Sequence, residues 1–222
     1  ATTITNAPLL NGKTWDNANT LTLAAGASNR LQLATNAIVN NQAGATVLID
    51  STYVNAFENA SGAAAHQVNN AGLIQKTNGA AQTLLNTGTY TQAAGATLDV
   101  DAGTLNLTLN NTYSGTINVD PGATLALPSG SHTFNSGLSL TGAGNLTLNG
   151  ATLTLGGPFT FGAANPLFAM SAGTLTSASA FTDNQAFAWS GGTLTGTGLL
   201  TTNGATTITN APLLNGKTWD NA

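Results

Sequence analysis

Apolar and small polar residues alternate in short runs along most of the chain. Ile117-Asn-Val119, Leu125-Ala-Leu127, Leu138-Ser-Leu140, Leu146-Thr-Leu148 and Leu153-Thr-Leu155 each put two apolar side chains on one side of an extended backbone. A period of two marks a strand with one buried face. Between the runs stand Gly, Asn, Asp-Pro and Pro-Ser, which supply a positive or fixed φ and turn the chain. No apolar stripe at i, i+3, i+4 is sustained, and Thr and Gly are poor helix formers. The pattern predicts an all-β chain of many short strands, about three in every 27 residues, with no significant helix.

Two repeats organise the strands. Gly88, Gly115 and Gly142 open three successive lines of 27 residues, in which Gly95-Ala-Thr-Leu98 falls over Gly122-Ala-Thr-Leu125 and, one residue displaced, Gly150-Ala-Thr-Leu153. Gly103, Gly130 and Gly157 share a column, as do Leu107, Phe134 and Phe161, and residues 194–206 echo 140–152 two periods on. The longer repeat is literal: residues 1–18, ATTITNAPLLNGKTWDNA, return unchanged as residues 205–222. The chain therefore reads as one 204-residue unit, residues 1–204, followed by the start of the next identical unit, residues 205–222. No charged, Pro-rich or Ser-rich linker interrupts the junction TTNGATTITNAPLL at residues 201–214, so an antiparallel sandwich that closes on itself fits less well than a solenoid that runs straight through. The expected fold is a right-handed parallel β-helix, the right hand being the favoured one for parallel crossovers. Coils of some 20 to 27 residues give about 8–10 coils per unit and a rise of roughly 40 to 50 Å. Since 204 is not a multiple of 27, shorter or irregular coils are expected in residues 1–87.

Composition sharpens the picture. The hydrophobic content of 41% can fill a core, while only 5% of residues are charged, against roughly 25% in an ordinary domain. The surface must be built from Thr, Asn, Ser and Gln. A net charge of −4 with four basic residues, Lys13, Arg30, Lys76 and Lys217, disfavours nucleic acid and anionic membranes as partners. No apolar run is long enough for a spanning helix. Cysteine is absent, which excludes disulfides, zinc-thiolate sites and thiol catalysis and suits a long exported protein.

Three stretches carry a family resemblance. FAWSGGTLTGTGLLTTNGATT (187–207), VNNAGLIQKTNGAAQTLLNTGTYTQAAGATLDVDAGTLNL (68–107) and SGTINVDPGATLALPSGSHTFNSGLSLTGAGNLTLNGATLTL (114–155) resemble the large bacterial surface adhesins of filamentous-haemagglutinin-like and autotransporter-like type. The resemblance implies a secreted, extended right-handed β-helix serving adhesion, aggregation or filament formation. It assigns no activity to any residue.

Candidates for chemistry are few. Asp99, Asp101 and Asp120 form the one local carboxylate cluster, which could serve a polysaccharide lyase or hydrolase. In Leu98-Asp-Val100-Asp, however, the aspartates alternate with inward apolar residues and should face solvent, and the nearest cation in sequence is Lys76. Calcium-loop spacings are missing. His66 and His132 are isolated and are expected to be solvent-facing or hydrogen-bonded rather than metal ligands. Trp15, Phe187 and Trp189 are expected to plug the core at a coil corner. Asn59-Ala-Ser61 and Asn106-Leu-Thr108 match the glycosylation pattern, which this composition supplies by chance. Flat Thr-x-Thr arrays on β-solenoids can bind ice, but on the 27-residue lines Thr133 and Thr160 share a column with Asn106, and Thr89 and Thr116 with Ala143, so no regular array is expected.

The sequence thus leads to a structural, non-enzymatic repeat of a long extracellular fibre, stalk or cell-surface filament. Its expected partners are identical units head to tail, with possible lateral association and a surface or glycan receptor. No catalytic, cofactor-binding or metal-binding residue is assigned, and no cofactor is expected. A carbohydrate-active β-helix enzyme and an ice-binding or other ligand-binding β-solenoid are the alternatives.

Overall fold

In a computed structural model, residues 1–62 and 65–222 are described; they form a parallel β-solenoid of about ten turns with no helix among them. Every strand pairing is parallel. Each turn contributes three strands, one to each of three faces. Face I starts with Thr2–Ile4, Thr20–Leu23 and Thr46–Ile49, face II with Leu9–Asn11, Leu31–Ala34 and Asn55–Asn59, and face III with Thr14–Asn17, Ile38–Asn41 and Gln67–Asn70. Faces II and III merge where Asn145–Leu155 and Leu167–Ser177 run on around the corner between them, with a register shift near Asn149.

Alternation does what it predicts. Leu21, Val47, Ile74, Leu98 and Ile117 stack in one inward column of face I and are fully buried, while their neighbours Thr20, Thr46, Thr97 and Thr116 line the outside. β-branched Thr fits this pleated, half-exposed surface, which explains how a chain with so few charges stays covered. Backbone pairing of each strand with the coils on either side leaves strand edges only at the two ends of the rod and at one gap in face I.

Glycine sets the corners. At Gly142 the φ of +95° is one an L side chain rarely adopts, and a Cβ there would meet Val119 O at 2.1 Å. Successive coils touch backbone to backbone at such corners, so only glycine fits.

The 27-residue lines do not correspond to coils. Ladder partners on face I are separated by 19 residues at Thr2 and Leu21, 26 at Leu21 and Val47, 27 at Val47 and Ile74, 24 at Ile74 and Leu98, and 19 at Leu98 and Ile117. The one coil of 27 lies in residues 1–87, and the coils after residue 98 run from 19 to 23. The column Leu98, Leu125, Leu153 runs through face I, then face II, then face III. Each step of 27 therefore advances four strands, a full turn and one face more. The strand-and-turn module looks alike on every face, so self-similarity in sequence does not report which strands are stacked.

Face I is interrupted once, between Ser139–Thr141 and Phe159–Phe161, where no ladder forms and a cleft of about 290 Å³ opens. The Asn165 side-chain amide donates to Leu140 O there, in place of a backbone rung.

Candidate functional site

The most regular surface is on face III. Its outward column reads Asp16, Asn40, Asn69 and then Thr91, Thr112, Thr133, Thr154, Thr176 and Thr195, six consecutive threonines. Beside it run Ser131, Thr152, Thr174 and Thr193, so four successive turns carry a Ser/Thr-x-Thr pair. This overturns the expectation of wandering threonines. Thr133 stacks on Thr112 and Thr154, whereas Asn106 lies on face II beside Thr83 and Ala126, and Thr160 and Thr116 belong to face I. Coil lengths, which set this register, cannot be read from the 27-residue lines.

The array has a defined geometry. Rungs are about 4.8 Å apart along the axis, and residues i and i+2 about 6.7 Å apart along a strand. Each Thr offers one hydroxyl and one methyl group, and β-branching restricts its χ1. No charged side chain stands in the two columns from Thr91 to Thr195. At the other end the column changes character: Asn40 donates to Asp16 at 2.7 Å, Asn69 to Asn40 at 2.9 Å and Thr91 to Asn69 at 2.8 Å, a self-satisfied amide ladder.

The carboxylate cluster is solvent-facing and tied up, as the alternation predicts. The Asn118 amide donates to Asp99 Oδ1 and to Asp120 Oδ1, both at 2.8 Å, and Gln75 donates to Asp101 Oδ2 at 2.9 Å. Burial and then the neighbouring Asp99 raise the Asp101 carboxyl above its ordinary value. Lys76, the nearest cation in sequence, points the other way. Its side chain is fully buried, its Nζ donates to Asn78 O at 2.6 Å and Ala102 O at 2.7 Å, and burial lowers its pKa to about 8. A lyase needs a cation and a carboxylate on the same side of the sheet; here the sheet lies between them.

Both histidines are buried. His132 meets Tyr113 Oη at 3.0 Å and Ser129 O at 2.9 Å, and burial lowers its pKa; His66 meets Asn59 Oδ1 at 3.0 Å. No group of three or more His, Cys, Asp or Glu side chains that could hold a metal comes together among the described residues. Trp15 is half-buried in its strand, and Phe187 and Trp189 fill the core from the two ends of the three-residue strand Phe187–Trp189, next to its corners. They belong to a longer file of rings that sequence reasoning missed. Neighbours run Tyr90, Tyr113, Phe134, Phe159, Phe161 and Phe168 at centroid spacings of 5.2 to 6.0 Å, then on through Phe187 and Trp189. Asn59 and Asn106 are half-buried, and Asn59 Oδ1 is already an acceptor for Ser61 N.

One further polar cluster was not anticipated. On the side of face II, Arg30 lies over the Tyr53 ring at 4.0 Å and pairs with Glu58, which also accepts from Tyr53 Oη at 2.8 Å and Gln32 Nε2 at 3.1 Å. Burial pushes the Glu58 carboxyl up, but its Arg30, Tyr53 and Gln32 partners prevail and hold it below its ordinary value. Both Glu58 oxygens accept from side chains of the cluster, an arrangement that ties two loops together. Only the length of the coils containing them, 26 and 27 residues, hints at it in sequence. No protein-family model, curated protein sequence or solved structure matches the chain.

Proposed function

We propose that the chain is a repeat segment of an extracellular shaft: a fibre, stalk or cell-surface filament built from identical units joined head to tail. One observation carries this reading. The duplicated residues 205–222 form the same strands as residues 1–18, keep Ile208, Leu214 and Trp219 on inward ladder positions as Ile4, Leu10 and Trp15 are, and extend the ladders already under way: Trp189 pairs with Ile208, Leu194 with Leu214 and Leu200 with Trp219. A unit can pass into the next without a linker or a break in the core. Such a rod is stiff because backbone hydrogen bonds run along its whole axis, and salt affects it little because so few charges contribute. Adhesion, aggregation or surface coating is the role this rod would serve, in keeping with the resemblance to bacterial adhesins.

Electron microscopy of a chain carrying several units in tandem tests the proposal. Rigid rods that lengthen by about 45 Å per added unit, from about 4.8 Å per turn, are expected. Compact particles, or globules strung on flexible joints, would overturn it.

The threonine array favours a second reading, in which face III holds an ordered layer of water or ice. Its two spacings lie close to oxygen repeats of hexagonal ice in two directions, and the surface is uncharged over six turns. Thermal hysteresis that disappears in Thr154→Lys/Thr176→Lys would establish it, and a native protein with no hysteresis would remove it. The enzyme alternative is the least supported, since Lys76 and the aspartates face opposite sides of the sheet.

A further inference from the structure

The two identical segments do not occupy the same faces. Thr2–Ile4 lies on face I, Leu9–Asn11 on face II and Thr14–Asn17 on face III, whereas their copies Thr206–Ile208, Leu213–Asn215 and Trp219–Asn221 lie on faces II, III and I. At three strand positions to a turn, with Asn145–Leu155 and Leu167–Ser177 each filling two, the copy stands 28 positions after the original. Twenty-eight positions are nine turns and one third.

We infer that each unit of the tandem array is seated a third of a turn further round the solenoid axis than the unit before it. The inference rests on the shaft reading proposed above. Both sides of the junction coil are visible within the chain. The first copy shows what stacks on it from the following coil: Thr2 to Ile4 pair with Leu21 to Leu23, Leu9 to Asn11 with Gln32 to Ala34, and Thr14 to Asn17 with Ile38 to Asn41. The second copy shows what lies beneath it, Phe187 to Trp189, Thr193 to Thr195 and Leu200 to Thr202. Lys13 is exposed in the first copy, while in the second Lys217 is 6% exposed and donates to Ser177 O at 3.3 Å. In return Ile208 and Leu214 of the second copy leave an inward apolar surface exposed at 45% and 37%, which in the first copy the following coil covers, Ile4 being 4% exposed. The occupant of that surface is the next copy of this chain's own sequence.

The 27-residue step has the same phase. It spans four strand positions, one turn and one third, and 28 positions are seven such steps. The shift is thus set within the unit. Its consequence is geometric: the threonine column of face III passes to face I in the next unit and to face II in the one after, returning only after three units. An array shows one such ladder on each side in turn, and no flat Thr surface is longer than a single unit. A lateral neighbour, whether a second fibre or an ordered surface, meets the same ladder from any direction.

Two measurements test this. The chain has no cysteine, so nitroxides can be attached at chosen sites. Labels on Ala188→Cys and Thr207→Cys, ladder neighbours on face II, are expected to broaden each other's spectra strongly. Labels on Thr182→Cys and Thr207→Cys are expected to show no such broadening, and strong broadening in that pair would place the copy on face I and overturn the inference. In a two-unit chain, streptavidin bound to biotinylated Thr154→Cys and its counterpart 204 residues later should point in directions a third of a turn apart when viewed by electron microscopy. Tags in line on an intact rod would refute the phase while leaving the shaft reading standing. Two separate bodies in place of a rod would overturn the shaft reading, and the inference with it.

Discussion

Residues 1–87 and residues 88–204 build the same three-faced solenoid by different means. The first part has the long coils, with loops that carry the Arg30, Tyr53 and Glu58 clamp, and it places polar groups inside the rod. Asn17, Asn41 and Asn70 stack in an inward column, with Asn17 donating to Asn41 Oδ1 and Asn41 to Asn70 Oδ1, both at 2.8 Å. Lys76, Asn78 and Gln82 close further corners from within. Along that same inward column Asn70 is followed by Gln92 and then by Tyr113, Phe134 and Leu155. The second part has shorter coils and a file of rings, with Gln92, Asn111, His132 and Asp183 among its buried polar groups, and one outer face carries the threonine ladder. A buried amide ladder fixes register, because a slip by one rung leaves donors unmatched in a place water cannot reach. The amide ladder suits the part with the most irregular coils, where register is otherwise weakly specified, and the ring file lies in the part whose coils vary less.

That contrast can be broken from either side. The largest loss is expected for Phe168→Ala, which opens a cavity between Phe161 and Phe187 and should cost about 3 to 5 kcal/mol in denaturant unfolding. A loss under about 1 kcal/mol there would show that the ring file is not what holds the second part. Next comes Gly142→Ala, expected to cost about 3 kcal/mol from the strained φ and the collision with Val119 O. Gly122→Ala is its control: φ is +85° but a Cβ there meets nothing within 4 Å, so only the conformational cost of about 1 to 2 kcal/mol remains. Equal losses would mean that close approach between coils is not what selects glycine. In the first part, Asn41→Ala removes the acceptor of Asn17 and the donor to Asn70 and Leu73 O, and about 2 kcal/mol is expected.

A pH-dependent effect separates the buried lysine from its hydrogen bonds. Folded Lys76 loses its proton near a pKa of about 8, while the unfolded chain keeps it up to the ordinary 10.5. Between those values the unfolded state binds more protons, so the charge penalty is in full force below pH 8 and is relieved as pH rises toward 10.5. The melting temperature of the native protein relative to Lys76→Met should therefore climb across that window and stay level below it. A difference independent of pH would mean that Lys76 is charged and unpenalised in the fold.

How much of this was legible differs from feature to feature. Leu98 and Val100 point inward and Asp99 and Asp101 outward because a strand has a period of two, and no neighbour is needed to know it. The outward aspartates were readable on that basis, the burial of Phe187 and Trp189 from the size of their side chains, and the parallel stacking of many short strands from a repeat that runs on without a linker. Lys76 shows the limit: it sits at an inward position by the same alternation, yet its charge argued for the surface, and the carbonyls of Asn78 and Ala102 that receive it belong to two different turns. The threonine ladder was hidden for a related reason. Thr91, Thr112, Thr133, Thr154, Thr176 and Thr195 are separated by 21, 21, 21, 22 and 19 residues, a spacing lost under the stronger 27-residue echo.

By itself the sequence determined what is local: strand alternation, turns at Gly, the parallel all-β class, and the exact recurrence of residues 1–18 at 205–222. Which strand lies above which was decided only in three dimensions. Stacking depends on the summed length of three strands and three corners, and one or two added loop residues change it without altering any strand's own pattern. The phase of the repeat follows from that sum alone. Two identical segments can thus keep the same inward ladder positions and still stand on different faces of the same rod.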